Sequence, residues 1–440
     1  MPPKGTSVTR CDHVTGRDKR AEREWVHRAA KGRANTIAFG STKNLKVQNT
    51  AIFVNCPFPT LEEDAAAAQP VQIGPYSRTP YDSPSFFNIS GMSYGHYPVR
   101  RRALSIGAKK AGCWMNTGEG GLSPFHLEGG CDIVFQMGTA KYGVRDADGN
   151  LSDEKLKEVA AHEQVRMFEI KLSQGAKPGE GGTLPADKVT AEIAAIRGIP
   201  EGEASISPNR HPEINSVKDL LDTIQRIRDV TGKPVGMKAV IGAFGWLETL
   251  CEEIHARGEE SAPDFITIDS GDSGTGAAPM PLMDNVGLLV SGSLPMVADI
   301  LCRHGLKKRI RLISSGKFIT PSGVAWALCA GADFVVTARG FMFSLGCIQA
   351  LKCNRNTCPT GITTHNPRLQ RGLEPYGKAE RVANYWRNIT HEVEVTAHSC
   401  SVPEPRRLNR YHVRIVQADG RSVPMEDLYP WPDEPGEKAA

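Results

Sequence analysis

The sequence predicts an α/β chain built on a (β/α)8 TIM barrel. Three observations carry that prediction. Short apolar, β-rich runs recur from about residue 85 onward, stretches with apolar residues at helical spacing lie between several of them, and the runs end in polar or glycine residues. Buried strands alternating with helices imply a parallel sheet. Eight such runs over about 250 residues suit a closed barrel, whereas a doubly wound sheet usually has fewer strands and a Gly-rich turn after the first.

The strand runs in order are FFNIS (86–90), CWMN (113–116), DIVFQ (132–136), FEIKL (168–172), VGMKAV (235–240), FITID (265–269), IRLISS (310–315) and DFVVTA (333–338). The helical stretches between them are VRRRALSIGAKKA (99–111), VKDLLDTIQRIRDV (217–230), WLETLCEEIHARG (246–258), LPMVADILCRHG (294–305) and SGVAWALCAGA (322–332), each with apolar residues returning every three or four positions. Residues 1–80 read as an irregular N-terminal arm or cap with a short charged helix over Lys19–Lys31. Residues 81–370 form the barrel, with a cysteine-bearing loop at 347–358. Residues 371–440 read as a C-terminal extension: the helical AERVANYWRNITHEVEV, a basic Pro-containing stretch, and a terminal DEPGEKAA with the composition of disorder.

Composition narrows the function classes. The chain has 440 residues, 40% of them hydrophobic and 23% charged, with a net charge of +4. That charge is small for the length and points to neither nucleic acid nor membrane as the main partner. No apolar run reaches the roughly 20 residues of a bilayer span, and the start MPPKGTSVTRCDH lacks the apolar core of a secretory signal. Eleven cysteines, mostly scattered, fit a reducing, cytoplasmic setting better than a disulfide framework.

Three of those cysteines are not scattered. Cys347, Cys353 and Cys358 stand in GCIQALKCNRNTCPTGI with Cys-x5-Cys-x4-Cys spacing. Thiolates suit an iron–sulfur core, and a short loop supplies several only when the spacing is tight. Three ligands point to the 3Fe-4S type; the bland reading is ordinary buried thiols.

In such a barrel, chemistry sits at the C-terminal strand ends. These ends are SGMSYG (90–95), NTGEGG (116–121), Gln136 with Lys141 close behind, Lys171 followed by GAKPGEGG (175–182), Lys238, DSGDSGTG (269–276), SSG (314–316) and TARG (337–340). The last two are small and glycine-rich, as a phosphate site requires. Lys141, Lys171 and Lys238 bring positive charge to one mouth, where it can polarise a flavin ring. Lys177 and Arg197 suit a dicarboxylate. Glu119 is the best general acid/base candidate. Taken singly, each lysine reads as a solvated charge, each glutamate as a helix cap and each glycine as a turn; their coincidence in one mouth gives them weight.

SGMSYG, NTGEGG, IKLSQGAKPGEGGTLP, IAAIRG, ISPNRHPEINSVKDL, IDSGDSGTGAAP and GCIQALKCNRNTCPTGI, in that order, resemble the FMN-binding barrel domain of the glutamate synthase family over roughly residues 70–390. The resemblance implies FMN held by Gly91, Met92, Ser93, Asn116, Gln136, Lys141, Lys238, Ser270, Gly271, Ser315, Gly316, Arg339 and Gly340. It implies a 3Fe-4S cluster on Cys347, Cys353 and Cys358, and 2-oxoglutarate chemistry around Glu119, Lys171, Lys177 and Arg197. By the same resemblance, electrons pass from the cluster to FMN, and hydride goes to 2-iminoglutarate formed from 2-oxoglutarate and ammonia. Lys171 and Glu119 then assist proton movement. Two departures stand out: Thr183 replaces the family's usual Gln, and His96–Arg100 replaces small and hydroxyl residues.

The chain lacks the family's glutaminase and β-helical domains, so the expected partners are an amidotransferase-type subunit and a glycine-repeat β-helical subunit in a hetero-oligomeric complex. In this it resembles the FMN subunit of N-methylglutamate synthase, which uses methylamine with glutamate to give N-methylglutamate and ammonia. An ordinary glutamate synthase subunit is the alternative. A flavin and iron–sulfur electron-transfer subunit without amino-acid chemistry is the alternative of another class.

Overall fold

The computed structural model describes residues 19–33, 36, 38, 40–92, 98–186, 189–364 and 366–432. Eight parallel strands close into a barrel: β1 (Phe87–Ile89), β2 (Met115–Asn116), β3 (Ile133–Met137), β4 (Val165–Lys171), β5 (Val235–Val240), β6 (Phe265–Asp269), β7 (Arg311–Ser315) and β8 (Phe334–Thr337). Every strand lies within a predicted run or overlaps most of it. β8 returns to β1 with Val335 opposite Phe87 and Thr337 opposite Ile89, which closes the sheet and leaves it no edge.

Helices fall where the periodicity places them, at Pro98–Ala111, Val217–Thr231, Gly245–Arg257, Val290–Arg303 and Pro321–Cys329. Local chemistry sets their ends. Ser216 accepts a hydrogen bond from the Asp219 N–H at the start of Val217–Thr231, and Gly232 ends it in the left-handed conformation. Leu220, Leu221, Ile224 and Ile227 turn that helix's buried face to the barrel. The long helix Pro375–Ser399 packs along Pro98–Ala111 and against Pro321–Cys329, burying Val382, Tyr385, Ile389 and Val393.

Side chains alternate along each strand, so one set lines the lumen. Its lower part is apolar: Trp114, Val134, Met167, Phe265, Ile313, Phe334 and Val336 form one cluster. A hairpin of Val71–Ile73 and Tyr81–Ser83 adds Ile73 and Tyr81 to this cluster, with the Tyr81 hydroxyl donating to Asp132 at 2.9 Å. Above this packed lower cluster lie the buried Glu169, Lys171 and Lys238.

The terminal regions are more ordered by long-range pairing than their sequence suggests. Ala51–Phe53 pairs antiparallel with Val413–Val416, which in turn pairs with Ser422–Pro424. The charged helix appears at Lys19–Ala29 and packs against the short helix Arg339–Ser344 and the long helix Pro375–Ser399. The tail at 433–440 lies outside the described residues.

Candidate active site

Pairing register brings the polar strand ends to one level. Lys238 of β5 stands opposite Lys171 of β4 on one side and Thr267 of β6 on the other. Burying two ammonium groups this close requires carboxylates. Lys171 Nζ lies 3.0 Å from Glu119, and Lys238 Nζ 3.3 Å from Asp269. Asp269 also accepts from the Ser315 hydroxyl at 2.9 Å and from the Gly175 N–H at 3.0 Å.

Burial alone would raise the Glu119 carboxyl, but the adjacent Lys171, with Lys177 and Arg197 further off, outweighs it and holds the group below its ordinary value. Burial lowers Lys171, only partly opposed by Glu119, and the neighbouring Lys238 lowers it further. For Lys238, burial is outweighed by Asp269 and Glu169, which raise it. The two lysines therefore differ: Lys171 gives up its proton more readily than a free lysine, while Lys238 is a fixed cation.

A cleft opens beside this pair, lined by Glu119, Thr139, Lys171, Gln174, Lys177 and Asn209 among others. Lys171 also donates to Gln174, whose amide donates to Thr275 at 3.0 Å. Lys177 reaches back to the Gly181 carbonyl at 3.1 Å and is half-buried. Arg197 is not among the residues lining this cleft. Its guanidinium lies over the Tyr142 ring, 4.7 Å from the centroid, and its charge still helps to hold Glu119 down. Thr183 is exposed on a two-residue strand opposite Ile206, outside the cleft lining.

A second, narrow pocket lies in the upper lumen between Ser90, Gly91, Asn116, Glu169, Lys238 and Thr267, above Trp114. Gly91 is needed for close approach: a Cβ there would sit 2.8 Å from Asn116 Oδ1. At Gly316 a Cβ would meet the Ser270 Cβ at 2.5 Å. Ser270 and Gly271 are tied within their own loop, Ser270 through Asp272 and the Val290 N–H, Gly271 through the Leu288 carbonyl. Lys141 pairs with Glu213 at 3.0 Å. Met92 packs on the core; Ser93 lies outside the described residues, as do His96 and Tyr97. Arg339 and Gly340 begin the helix after β8, and Gly340 packs against the Tyr385 hydroxyl.

The cysteine loop is of another character. Cys358 is buried, Cys347 half-buried and Cys353 exposed. Gln349, Leu351 and Asn356 all take left-handed backbone conformations within it, folding the loop back sharply. Cys347 Sγ accepts from the Gln349 N–H at 3.4 Å, and Cys358 Sγ is 3.3 Å from the Thr360 hydroxyl. Burial would raise the Cys358 thiol, but hydrogen bonds from Thr360 and Thr363 bring it down to about 7. The N-terminal helix clasps this loop: Arg23 donates to the Ile348 carbonyl at 2.9 Å, and His27 lies 3.1 Å from the Cys347 carbonyl. Among the described residues, no three of His, Cys, Asp or Glu are arranged as a metal-ligand set.

Reading strand ends alone missed several groups. Glu169 sits two residues before Lys171 on the same face of β4 and is buried in the lumen. That i, i+2 spacing is the signal that finds it. His211 donates its Nε2–H to the Lys171 carbonyl at 3.1 Å, and its Nδ1 faces Glu213 at 3.7 Å. Nothing in the sequence marks that loop contact.

Barrel and mouth together define a (β/α)8 protein of the enzyme type, with perturbed titratable groups gathered at the strand ends. Residues 43–402 match the conserved region in glutamate synthase, and the chain belongs to that family. It is 42% identical over 341 residues to a glutamate synthase large subunit-like protein of Bacillus subtilis, covering 77% of this chain and 64% of that protein. It is 36% identical over 333 residues to an archaeal NADPH glutamate synthase of Methanocaldococcus jannaschii, covering 74% and 62%. The chain thus spans less than two thirds of these relatives' lengths. Among solved structures, the recombinant flavin-binding domain of baker's yeast flavocytochrome b2 aligns with a TM-score of 0.50 at 12% identity, over 93% of this chain and 83% of that one. At that identity the likeness is one of fold. No described helix is long and apolar enough to cross a membrane.

Proposed function

We propose that this chain is the FMN-carrying catalytic part of a glutamate-synthase-type enzyme, acting on a five-carbon dicarboxylate at its amino- or imino-bearing carbon. The observation that carries the reading is the pair of a buried Lys171 and a partly buried Glu119, 3.0 Å apart, lining a cleft that also holds Lys177. Family membership, and relatives whose names all carry glutamate synthase, support the same chemistry.

The mouth fits a flavin on its own chemistry. Gly91 leaves room that a Cβ would fill, and Ser273 Oγ is buried in the mouth loop with no hydrogen-bond partner. Gly91, Met92, Asn116, Gln136 and Lys238 would hold the ring, and Ser315–Gly316 with Arg339–Gly340 the phosphate. Bound there, FMN supplies hydride chemistry. The protein does the rest. Lys177 binds a substrate carboxylate, assisted by the positive field of Arg197. Lys171, lowered by burial, gives a proton to a substrate nitrogen or carbonyl oxygen, and Glu119 takes or returns it. Lys238 stays cationic beneath the mouth and stabilises negative charge.

The cysteine loop fits a cluster by its donor chemistry: three thiols, two of them already hydrogen-bonded, one brought near neutrality. A 3Fe-4S group on Cys347, Cys353 and Cys358 is part of this proposal. So are separate amidotransferase-type and β-helical partner subunits.

The finer reading, carried by the resemblance described above, takes methylamine with glutamate to N-methylglutamate and ammonia. It uses the same dicarboxylate pocket. The chain co-purified with its partners is assayed with glutamate plus methylamine, and separately with glutamine plus 2-oxoglutarate and a reductant. Turnover of the first pair supports the methylamine reading. Turnover of the second alone leaves ordinary glutamate synthesis, and turnover of neither, in a flavin-loaded complex, defeats both.

A further inference from the structure

Glu169 has no role in the chemistry above, yet three side chains of the upper lumen bond to it. It is 2% exposed. One carboxylate oxygen accepts from Asn116 Nδ2 at 2.8 Å and from Gln136 Nε2 at 2.5 Å, and the other from Thr267 Oγ1 at 2.6 Å. It thereby ties β4 to β2, β3 and β6 across the lumen, and it borders the cavity under the mouth.

An ionised carboxylate only accepts hydrogen bonds. Both amides must therefore turn their NH2 ends down to Glu169 and their carbonyl oxygens away from it. The Asn116 oxygen is used at once, accepting the Gly118 N–H at 2.8 Å. The Gln136 oxygen is turned away from the carboxylate as an acceptor. Without Glu169 the Gln136 amide loses the partner that orients it and can rotate by half a turn, which exchanges acceptor for donor at nearly constant shape, while Asn116 keeps only the Gly118 N–H to hold it. Glu169 also acts at longer range, helping Asp269 to keep Lys238 protonated.

We propose that Glu169 is a positioning residue for the flavin: it fixes the hydrogen-bond polarity of Asn116 and Gln136 toward the ring and supplies a buried negative charge that offsets Lys238. The inference rests on the flavin reading of the mouth. It predicts that Gln136 presents an acceptor, the partner an N–H on the ring's edge requires.

The test compares the wild-type chain with Glu169→Gln and Glu169→Asp, each purified, stripped of flavin and titrated with FMN by fluorescence quenching. The midpoint potential of the bound flavin is then measured. Glu169→Gln keeps the length and removes the charge; it is expected to weaken FMN binding by about tenfold or more, the scale of one charge-assisted hydrogen bond, and to move the potential positive. Glu169→Asp keeps the charge and shortens the reach; it is expected to weaken binding with a smaller change in potential. If Glu169→Gln folds, by thermal melt, and matches wild type in both measurements, the proposal is overturned. Failure of both variants to fold also overturns it, assigning Glu169 to the barrel core alone. If wild type itself binds no FMN, the flavin reading fails first, and that outcome is distinct from the others.

Discussion

The barrel mouth and the cysteine loop are both rich in reactive side chains, but they are built in opposite ways. In the mouth, Lys141, Lys171 and Lys238 each face a carboxylate within 3.3 Å, and each partner comes from a different element. Sheet register places Lys171, Lys238 and Asp269 before any substrate arrives, and the loops bring Glu119, Lys141 and Glu213 to them, which is the preorganisation that catalysis needs. In the loop, the thiols are close in sequence, and those of Cys347 and Cys358 meet a main-chain N–H and a hydroxyl. Their order comes from sharp backbone turns and from the Lys19–Ala29 helix clasping the loop. One site is organised by charge pairs between separate elements, the other by local spacing with one distant helix clasping it. Substitutions should therefore act differently on the two.

The largest effect is expected in the mouth. Lys171→Met should lower kcat by about 10²–10⁴-fold, the range for a positioned proton-transfer group. It also removes the cation that holds Glu119 down, so burial then raises that carboxyl. Glu119 becomes protonated at higher pH, and the acid limb of the kcat profile should move to higher pH. An unshifted limb would separate Lys171 from Glu119 and break the picture of a paired site.

In the loop the readout is composition. Cys358→Ser should lower the iron content of anaerobically purified protein to background while the mouth still binds FMN. Iron retained at the wild-type ratio would remove Cys358 from the ligand set. Iron and flavin lost together would mean that the two regions are not independent.

A smaller effect tests the rim of the cleft. Lys177→Ala should weaken binding of 2-oxoglutarate by about 10–100-fold, the worth of a hydrogen-bonded charge pair. Its effect on kcat for bound substrate should be lower. Equal losses in both would place Lys177 in the chemical step.

The smallest effect lies at the outer edge of the mouth. Burial would raise Glu213, but hydrogen bonds from His211, its own N–H and Lys141 outweigh it and hold it at about 2 rather than the ordinary 4.5. A depressed carboxylate contributes stability above its unfolded value and loses it as pH falls through the folded one. Glu213→Gln should therefore lose less stability than wild type on acidification from 4.5 toward 2. Denaturant midpoints across that window check this, and parallel curves would show that the Lys141 pairing adds nothing.

Much of this was legible in the sequence, for physical reasons. The eight barrel strands are short, apolar and separated by amphipathic helices, and each was readable to within a few residues. Glu119, Lys171 and Lys177, singled out near strand ends, line one cleft in the structure because strand ends face the mouth. Glu169 was not, because it lies one inward-facing position below the end of β4. The pairing of Ala51–Phe53 with Val413–Val416 was not legible either, since three-residue strands with partners over 350 residues away leave no periodic trace. Arg197 was expected to grip the substrate; its stacking on Tyr142 instead depends on the loop that carries Tyr142, which strand and helix patterns do not describe.

On the proposed reading the mouth holds a flavin beside a dicarboxylate. Titrating 2-oxoglutarate into the FMN-loaded chain while recording the flavin absorption spectrum tests it most directly. The account predicts a saturable spectral change that Lys177→Ala shifts to higher ligand concentration. A spectrum unmoved by 2-oxoglutarate and by glutamate alike would contradict it and leave the chain an electron carrier.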